Sequence, residues 1–148
     1  MKFLTMKFGG TSVGDVTRIK AVADTIRSEL RPNRKILVVV SAMSDQTNKL
    51  IELAKDLGID GTIDPEYDAL VSTGEDVSAS LLALALKNLG IRARSWRGWQ
   101  VPINTDSFFS NAKIKSVNTK KLIQSFKDDL DVAIISGFQG VEENKRIT

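Results

Sequence analysis

Apolar positions along the chain alternate between short β-prone runs and stretches with helical spacing. The first run, Phe3 to Phe8, leads directly into Gly9-Gly10, and this pattern is typical of a strand that ends in a turn. Apolar residues then recur at helical spacing from Val13 to Leu30. The segment Lys35 to Ser41 contains an unbroken apolar run, which suits a parallel strand covered on both faces. The first quarter of the chain therefore predicts a βαβ unit.

The same alternation continues to the end of the chain. Helical spacing predicts a helix over Gln46 to Leu57, a linker follows over Gly58 to Pro65, and a second helix covers Glu66 to Leu89. The part Ala79 to Leu86 is apolar nearly all round, as expected of a helix inside a core. Three further strands and one further helix are predicted at Ile91 to Trp96, Ala112 to Val117, Val132 to Ser136 and Thr119 to Leu130. The pattern predicts an α/β fold, a three-layer αβα sandwich with a mainly parallel sheet.

Composition narrows the classes of function. The 148 residues include no Cys and no His, which excludes disulfides, thiolate and imidazole metal sites and His-based catalytic triads. Net charge is +3, and its 21 basic and 18 acidic residues form no basic stripe, so we expect no nucleic-acid partner. The longest apolar runs are far shorter than the roughly 20 residues that cross a bilayer, and the N-terminus lacks a secretory pattern. We expect a cytoplasmic protein with no membrane partner.

Candidate chemistry lies where predicted strands end, because ligands of open α/β sheets bind at the carboxyl ends of the strands. Lys7-Phe8-Gly9-Gly10-Thr11-Ser12 combines glycine amides, a helix start and a lysine, and it is either a phosphate cradle or a plain tight turn. Ser41-Ala42-Met43, with Thr47, is either a carboxylate site or ordinary helix capping. Ser136-Gly137-Phe138-Gln139-Gly140 is either a pocket wall or a turn.

A fourth candidate is Ser72-Thr73-Gly74-Glu75, which we expect to lie between helical segments. Glu75 precedes the apolar part of its predicted helix. Its carboxylate either interacts favourably with the positive end of the helix dipole or binds the ammonium group of a ligand.

Taken together and in this order, these segments resemble the aspartokinase branch of the amino acid kinase family. The resemblance spans nearly the whole chain. Sister kinases for glutamate, acetylglutamate, carbamate and uridylate share the fold, but they lack this glycine string together with Ser-Thr-Gly-Glu. The residues that carry the resemblance are Lys7-Phe8-Gly9-Gly10-Thr11-Ser12-Val13, Val39-Val40-Ser41-Ala42-Met43, Ser72-Thr73-Gly74-Glu75 with Val77-Ser78, Gly98-Trp99-Gln100 before Thr105-Asp106, and Gly137-Phe138-Gln139-Gly140.

The resemblance implies a kinase that transfers the γ-phosphoryl group of ATP to the side-chain carboxylate of L-aspartate, the entry step to lysine, threonine and methionine. Because a carboxylate is already ionised at neutral pH, the absence of His is no obstacle. The implied cofactors are ATP and Mg²⁺, with Mg²⁺ held mainly by ATP and by residues outside this chain. The implied partner is the small molecule L-aspartate, and we expect a homo-oligomer. A truncated parallel sheet would also leave an unpaired strand edge, so we expect the isolated chain to self-associate or swap.

The resemblance also assigns roles to single residues. Lys7 is the expected catalytic residue at the transferring phosphoryl group, and no residue is assigned to a metal. The remaining assignments place Gly9, Gly10, Thr11 and Ser12 at the phosphates, and Ser41, Thr47, Glu75 and Phe138 at aspartate.

The family pattern continues with a Gly-Arg-Gly-Gly-Ser-Asp stretch, a nucleotide-binding half and ACT regulatory domains, none of which occurs in this sequence. We therefore expect residues 1–148 to form only the N-terminal, substrate-binding part of an amino acid kinase domain, inactive by itself. The alternatives are another amino acid kinase or a non-catalytic fragment.

Overall fold

A computed structural model describes residues 1–61 and 63–148 of the chain. Six strands and four helices occur in these residues. In chain order they are β1 (Lys2–Phe8), α1 (Val16–Glu29), β2 (Arg34–Val40), α2 (Gln46–Asp56), α3 (Pro65–Asn88), β3 (Ala93–Trp96), β4 (Ile103–Thr105), β5 (Ile114–Val117), α4 (Lys120–Asp128) and β6 (Val132–Ser136).

Four of the strands form one parallel sheet in the order β1-β2-β6-β3. Phe8 lies opposite Val40, and Val40 lies opposite Ser136. Trp96, the last residue of β3, lies opposite Ile135. The four carboxyl ends therefore line up along one edge of the sheet, where a ligand site is expected.

Helices cover both faces of this sheet. The alternating residues Ile36, Val38 and Val40 of β2 face a core built with α1 and α3. Ala133 and Ile135 of β6 face the opposite way, into a second core with helix α4. Because successive side chains of a strand point to opposite faces, β6 contributes apolar side chains to both cores. The predicted αβα sandwich with a mainly parallel sheet is confirmed.

The predicted cover of β2 is uneven. Ile36, Val38 and Val40 are fully buried, whereas Leu37 and Val39 on the other face are only half-buried. Helix α4 packs its buried residues, Leu122 and Phe126, with β3 and β6, and the ring of Phe126 also contacts that of Phe3 in β1 at 5.4 Å between centroids. On this face β2 is thus only partly covered.

The helix starts follow from their caps. Asp15 accepts a hydrogen bond from the amide of Arg18 at 2.8 Å, so α1 begins later than the predicted Val13. Asp64 accepts one from the amide of Glu66 at 2.7 Å, and Pro65 takes the first helical position of α3. Within the predicted linker, Thr62 lies outside the described residues.

Helix α3 is less enclosed than its apolar sequence predicts. Leu82 and Leu86 are fully buried, but Leu84 is 63% exposed. In the described residues it is the single helix with the length and hydropathy of a membrane span, and half of that apolar window is buried inside the protein. Core helices of soluble proteins meet the same criteria, so α3 gives little support to a membrane span.

One part of the topology differs from the predicted alternation. β5 forms within the predicted Ala112 to Val117, but it pairs antiparallel with β4 in a separate two-stranded sheet. All four residues of β5 are exposed. Since neither strand carries a long apolar run, the sequence contained no signal for β4 or for this pairing.

Candidate functional site at the carboxyl edge of the sheet

Backbone hydrogen bonds continue past the ends of three strands and bring their loops together. The Ser41 amide donates to the Phe8 carbonyl at 3.1 Å, and the Gly137 amide donates to the Val40 carbonyl at 2.9 Å. The loops after β1, β2 and β6 therefore meet at one edge. All three of the strand-end candidates found in the sequence lie there.

The turn after β1 leaves backbone donors available. Gly9 and Gly10 have no positive φ, and neither amide donates a hydrogen bond within residues 1–61 and 63–148. A Cβ at Gly9 would meet nothing within 4 Å, whereas one at Gly10 would lie 3.0 Å from the Ala42 carbonyl oxygen. Neither the backbone conformation nor steric crowding by other residues explains why position 9 is a glycine. Open space beside free amides suits an anion that approaches the backbone.

The cationic and hydroxyl side chains at this turn are accessible. Lys7 is exposed, and its ammonium group makes no ion pair or hydrogen bond in the described part of the chain. Thr11 and Ser12 are also exposed. These groups could reach a ligand in front of the turn.

The loop after β2 contacts the glycine turn. The Ser44 hydroxyl donates to the Gly10 carbonyl at 3.3 Å. Asp45 precedes α2 with a φ of 60° and makes no side-chain capping bond. Ser41 and Thr47 are half-buried, and among the described residues neither side chain caps the start of α2. Ordinary capping, the alternative for these hydroxyls, is therefore not observed.

Glu75 is placed differently from the expectation. The segment Ser72-Thr73-Gly74-Glu75 does not lie between helices, because α3 is continuous from Pro65 to Asn88. Glu75 lies in the middle of α3, too far from the helix start to interact with the positive end of the helix dipole. The sequence pattern was ambiguous because Gly74 is a weak helix former. Gly74 allows α3 to pack closely against the loop after β2, since a Cβ at position 74 would lie 3.0 Å from the Cβ of Ala42.

The Glu75 carboxylate is buried and half-satisfied. Only 5% of the residue is exposed. Oε1 accepts a hydrogen bond from the Ala42 amide at 3.2 Å, while Oε2 is buried without a partner among the described residues. Burial raises the pKa of Glu75, and the bond from Ala42 opposes this only in part. A buried oxygen with unused acceptor capacity is suited to a donor that arrives with a ligand.

Phe138 follows β6 and is 68% exposed. It lines a cavity of about 240 Å³ together with residues of the β4–β5 sheet, among them Ile103 and Ile114. The turn before it is tightly constrained, because a Cβ at Gly137 would lie 2.8 Å from the Val40 carbonyl oxygen. Phe138 is thus presented at the same edge as Ser41.

One further polar residue at this edge, Asp76, was not singled out in the sequence. The Asp76 Oδ1 atom accepts hydrogen bonds from the Ser136 hydroxyl at 2.8 Å and from the Gln139 side-chain amide at 3.0 Å. In turn, Gln139 Oε1 accepts one from the Gly98 amide at 2.8 Å. An aspartate in a helix normally indicates a solvated surface, so only the long-range contacts distinguish Asp76.

Cavity size does not locate this site. A groove of about 460 Å³ between α1 and α3 is lined mostly by apolar side chains and includes none of the candidate residues. The edge of the sheet is distinguished by its chemistry. Among the described residues, amides and an ammonium group without partners lie at the carboxyl end of β1, and the buried carboxylate of Glu75 reaches the loop after β2 from α3.

Comparison with known proteins agrees with this geometry. A family model described as the amino acid kinase family matches residues 2–148. The aspartokinase of Rickettsia conorii is 42% identical over 150 residues, a match that covers 100% of this chain and 37% of that protein. The aspartate kinase of Pseudomonas putida is 42% identical over 148 residues, again with 100% of this chain and 36% of that protein covered. This chain thus spans little more than a third of the length of these relatives.

Solved structures lead to the same family. The aspartate kinase of Synechocystis superposes with a TM-score of 0.78 at 35% identity, covering 99% of this chain and 23% of that one. E. coli aspartokinase III, solved in complex with aspartate and ADP, has a TM-score of 0.81 at 24% identity, covering 100% of this chain and 43% of that one, and it supports the fold alone. The strand order, the glycine turn and the family match together show that this chain belongs to the amino acid kinase family.

Proposed function

We propose that this chain is the aspartate-binding part of an aspartate kinase, which transfers the γ-phosphoryl group of ATP to the side-chain carboxylate of L-aspartate and forms 4-phospho-L-aspartate. The observation that carries the proposal is the buried, half-satisfied carboxylate of Glu75, which hydrogen-bonds the loop after β2 beside a glycine turn with free amides. The names of the relatives at about 42% identity support aspartate as the substrate.

The proposed reaction needs no catalytic base. A side-chain carboxylate has a pKa near 4 and is ionised at neutral pH. One of its oxygens bonds to the γ-phosphorus, and the bond from phosphorus to the oxygen that bridges to the β-phosphate breaks, so that ADP leaves. No proton moves in this exchange. Catalysis therefore consists of positioning the reactants and stabilising charge.

Lys7 and the glycine turn are the proposed phosphate side of the site. ATP supplies the phosphoryl group and the leaving ADP. The free Lys7 ammonium group offsets negative charge on the transferring group, and the amides of Gly9 and Gly10 donate to its oxygens. Thr11 and Ser12 orient these groups from the exposed side of the turn.

Glu75 and its neighbours are the proposed aspartate side. The unpartnered Oε2 of Glu75 accepts a hydrogen bond from the ammonium group of aspartate. Ser41 and Thr47 contact the substrate from the loop and helix that follow β2, and Phe138 forms a wall after β6. An arriving cation favours the ionised form of Glu75, which counteracts the effect of burial on its pKa.

The described residues fit a nucleotide phosphate better than a metal ion. They contain no group of three or more acidic side chains arranged to hold a cation. Mg²⁺ is accordingly proposed to be held by ATP and by parts of the enzyme outside this chain, and no step above depends on it. We further propose a cytoplasmic homo-oligomer in which a nucleotide-binding half and ACT regulatory domains complete the enzyme.

The decisive experiment uses the complete enzyme that contains these 148 residues. ADP release is measured with L-aspartate, with L-glutamate and with no amino acid, and the acyl phosphate is trapped with hydroxylamine. We expect turnover and a trapped aspartyl product with aspartate alone. Preference for glutamate would indicate another amino acid kinase, and equal ADP release under all three conditions would reject phosphoryl transfer to an amino acid.

A further inference from the structure

Two neighbouring acidic residues in the middle of α3 contact different strand ends. Glu75 reaches the loop after β2 through the Ala42 amide. Asp76 contacts the last residue of β6, Ser136, and also the residue after β3, because Arg97 Nε lies 2.9 Å from its Oδ2 atom. Successive residues of a helix point about 100° apart, so one turn of α3 connects to three of the four carboxyl ends.

The contacts of Asp76 form a closed polar network. Its Oδ1 atom accepts from both Ser136 and Gln139, so two donors share one carboxylate oxygen. Ser136 is fully buried and Gln139 is 7% exposed. Since buried donors are costly to leave unpaired, this oxygen fixes the position of both side chains.

Gln139 extends the network to the other side of the turn. Its side-chain oxygen accepts from the Gly98 amide at 2.8 Å, and a Cβ at Gly98 would lie 2.7 Å from the Gln139 carbonyl oxygen. The turn that carries Phe138 is thus held between Asp76 on α3 and the loop after β3. Phe138 itself is largely exposed, so its position depends on this anchoring.

We propose that Asp76 is a positioning residue for the aspartate subsite: it fixes the turn 137–140 and thereby the wall formed by Phe138. This inference rests on the proposed function. Asp76 is not proposed to contact the substrate. It acts through Ser136 and Gln139, and its removal therefore weakens aspartate binding without affecting the phosphate side.

The test compares Asp76→Ala, Asp76→Asn and Asp24→Ala in the complete enzyme. Asn keeps an oxygen that can accept from both Ser136 and Gln139, whereas Ala has none. Asp24 forms a similar pair with Arg27 at 2.9 Å on α1, within the same chain but away from the strand ends, and serves as the matched control. We expect Asp76→Ala to raise the KM for aspartate about tenfold, the effect of losing roughly one or two hydrogen bonds, while kcat and the KM for ATP stay near wild type.

Asp76→Asn is expected to remain close to wild type in the KM for aspartate, as is Asp24→Ala. Gln139→Ala should raise the KM like Asp76→Ala, and the double variant Asp76→Ala/Gln139→Ala should add little, because both act through one network. Additive effects of the two substitutions would overturn the proposal. So would an unchanged KM in Asp76→Ala.

Hydrogen exchange of the Gly98 amide provides a readout independent of activity. Its acceptor is Gln139, so Asp76→Ala should accelerate its exchange and Asp76→Asn should not. Unchanged exchange in Asp76→Ala would show that Asp76 does not hold the turn. If exchange accelerates while the wild-type enzyme fails to turn over aspartate, the proposed function is wrong and the role of Asp76 at an aspartate subsite falls with it, although the anchoring itself stands.

Discussion

Two acidic residues at opposite ends of the parallel sheet, Asp131 and Glu75, have opposite surroundings. At the amino ends, Asp131 precedes β6 and pairs with Lys35 at 3.0 Å and with Arg92 at 2.7 Å, while Arg92 also contacts Asp129. The hydrogen bond from Arg92 lowers the pKa of Asp131. At the carboxyl ends, Glu75 has no cationic partner among the described residues, one of its oxygens is unpartnered, and burial raises its pKa.

This difference separates a structural group of charges from a functional one. Paired charges at a surface cost little and add modestly to stability. A buried carboxylate without a partner is unfavourable for folding, and such groups are found where a ligand supplies the missing interaction. Asp131 at the amino ends is thus neutralised by its partners, whereas Glu75 at the carboxyl ends keeps one oxygen that no described residue satisfies.

The largest expected effect tests the carboxyl end. Lys7→Ala in the complete enzyme should lower kcat by about 10²–10³-fold, the range seen when one preorganised donor to a transition-state charge is removed. Lys7 is exposed and unpaired in the described residues, so the melting temperature should not change. Lys2→Ala, at the amino end of the same strand, is the control and should retain full turnover. Normal kcat in Lys7→Ala would refute its catalytic role.

A smaller effect is expected when the charge of Glu75 is removed. Glu75→Gln keeps an oxygen for the Ala42 amide and places an NH₂ donor at the position of Oε2, where it repels an ammonium ion. We expect the KM for aspartate to rise about 10- to 100-fold, as for the loss of one charged hydrogen bond, with the KM for ATP unchanged. Steady-state kinetics with each substrate varied in turn provide the measurement. Glu29→Gln, in an exposed pair at the far end, is the control, and an unchanged KM for aspartate in Glu75→Gln would contradict the assignment.

At the amino end the measurable effect is on stability. Asp131→Asn should lower the free energy of unfolding at pH 7 by about 1 kcal/mol, since it weakens a partly exposed ion-pair network. Because the folded-state pKa of Asp131 is lowered, its stabilisation is present above the ordinary carboxyl range and is lost as pH falls through the folded value. Urea unfolding measured from neutral to acidic pH should show that the free energies of unfolding of the wild type and of Asp131→Asn become equal in acid. A constant difference at every pH would show that the ion pairs are not its cause.

The same measurement on Glu75→Gln should have the opposite sign. The folded-state pKa of Glu75 is raised, so folding favours its neutral form, and its contribution is lost as pH rises through the folded value. A neutral Gln should therefore stabilise the ligand-free protein near pH 7, by about 0.5–2 kcal/mol, and the gain should vanish below the ordinary Glu range. If Glu75→Gln were less stable than the wild type at neutral pH, the proposed contrast between Asp131 and Glu75 would be wrong.

Three strands of the main sheet, β1, β2 and β6, were predictable because each carries a short apolar run, whereas β3 is Ala-Arg-Ser-Trp and has a weaker signal. Phe3 to Phe8 and Val132 to Ser136 were found within one residue of their observed bounds. The site candidates at strand ends followed from the general position of ligands in α/β sheets. Their roles remain predictions, as does the assignment of residues 1–148 to one part of a larger domain.

Other features had no local signal. β4 is three residues long and pairs with an exposed strand, so neither apolar periodicity nor burial marks it. The segment Ser72-Thr73-Gly74-Glu75 was expected between helical segments, but α3 is continuous there and Gly74 packs closely against Ala42. Tertiary contact overrode local propensity there.

The sequence by itself determined the alternation of strands and helices, the glycine turn beside Lys7 and the absence of imidazole and thiol chemistry, because these depend on residue type and short-range spacing. Only the tertiary structure decided that Glu75 is buried with one oxygen that no described residue contacts, and that Asp76 joins three segments. Burial and long-range hydrogen bonds arise when distant strand ends and the middle of a helix meet, and residues far apart along the chain leave no trace of that meeting in local spacing.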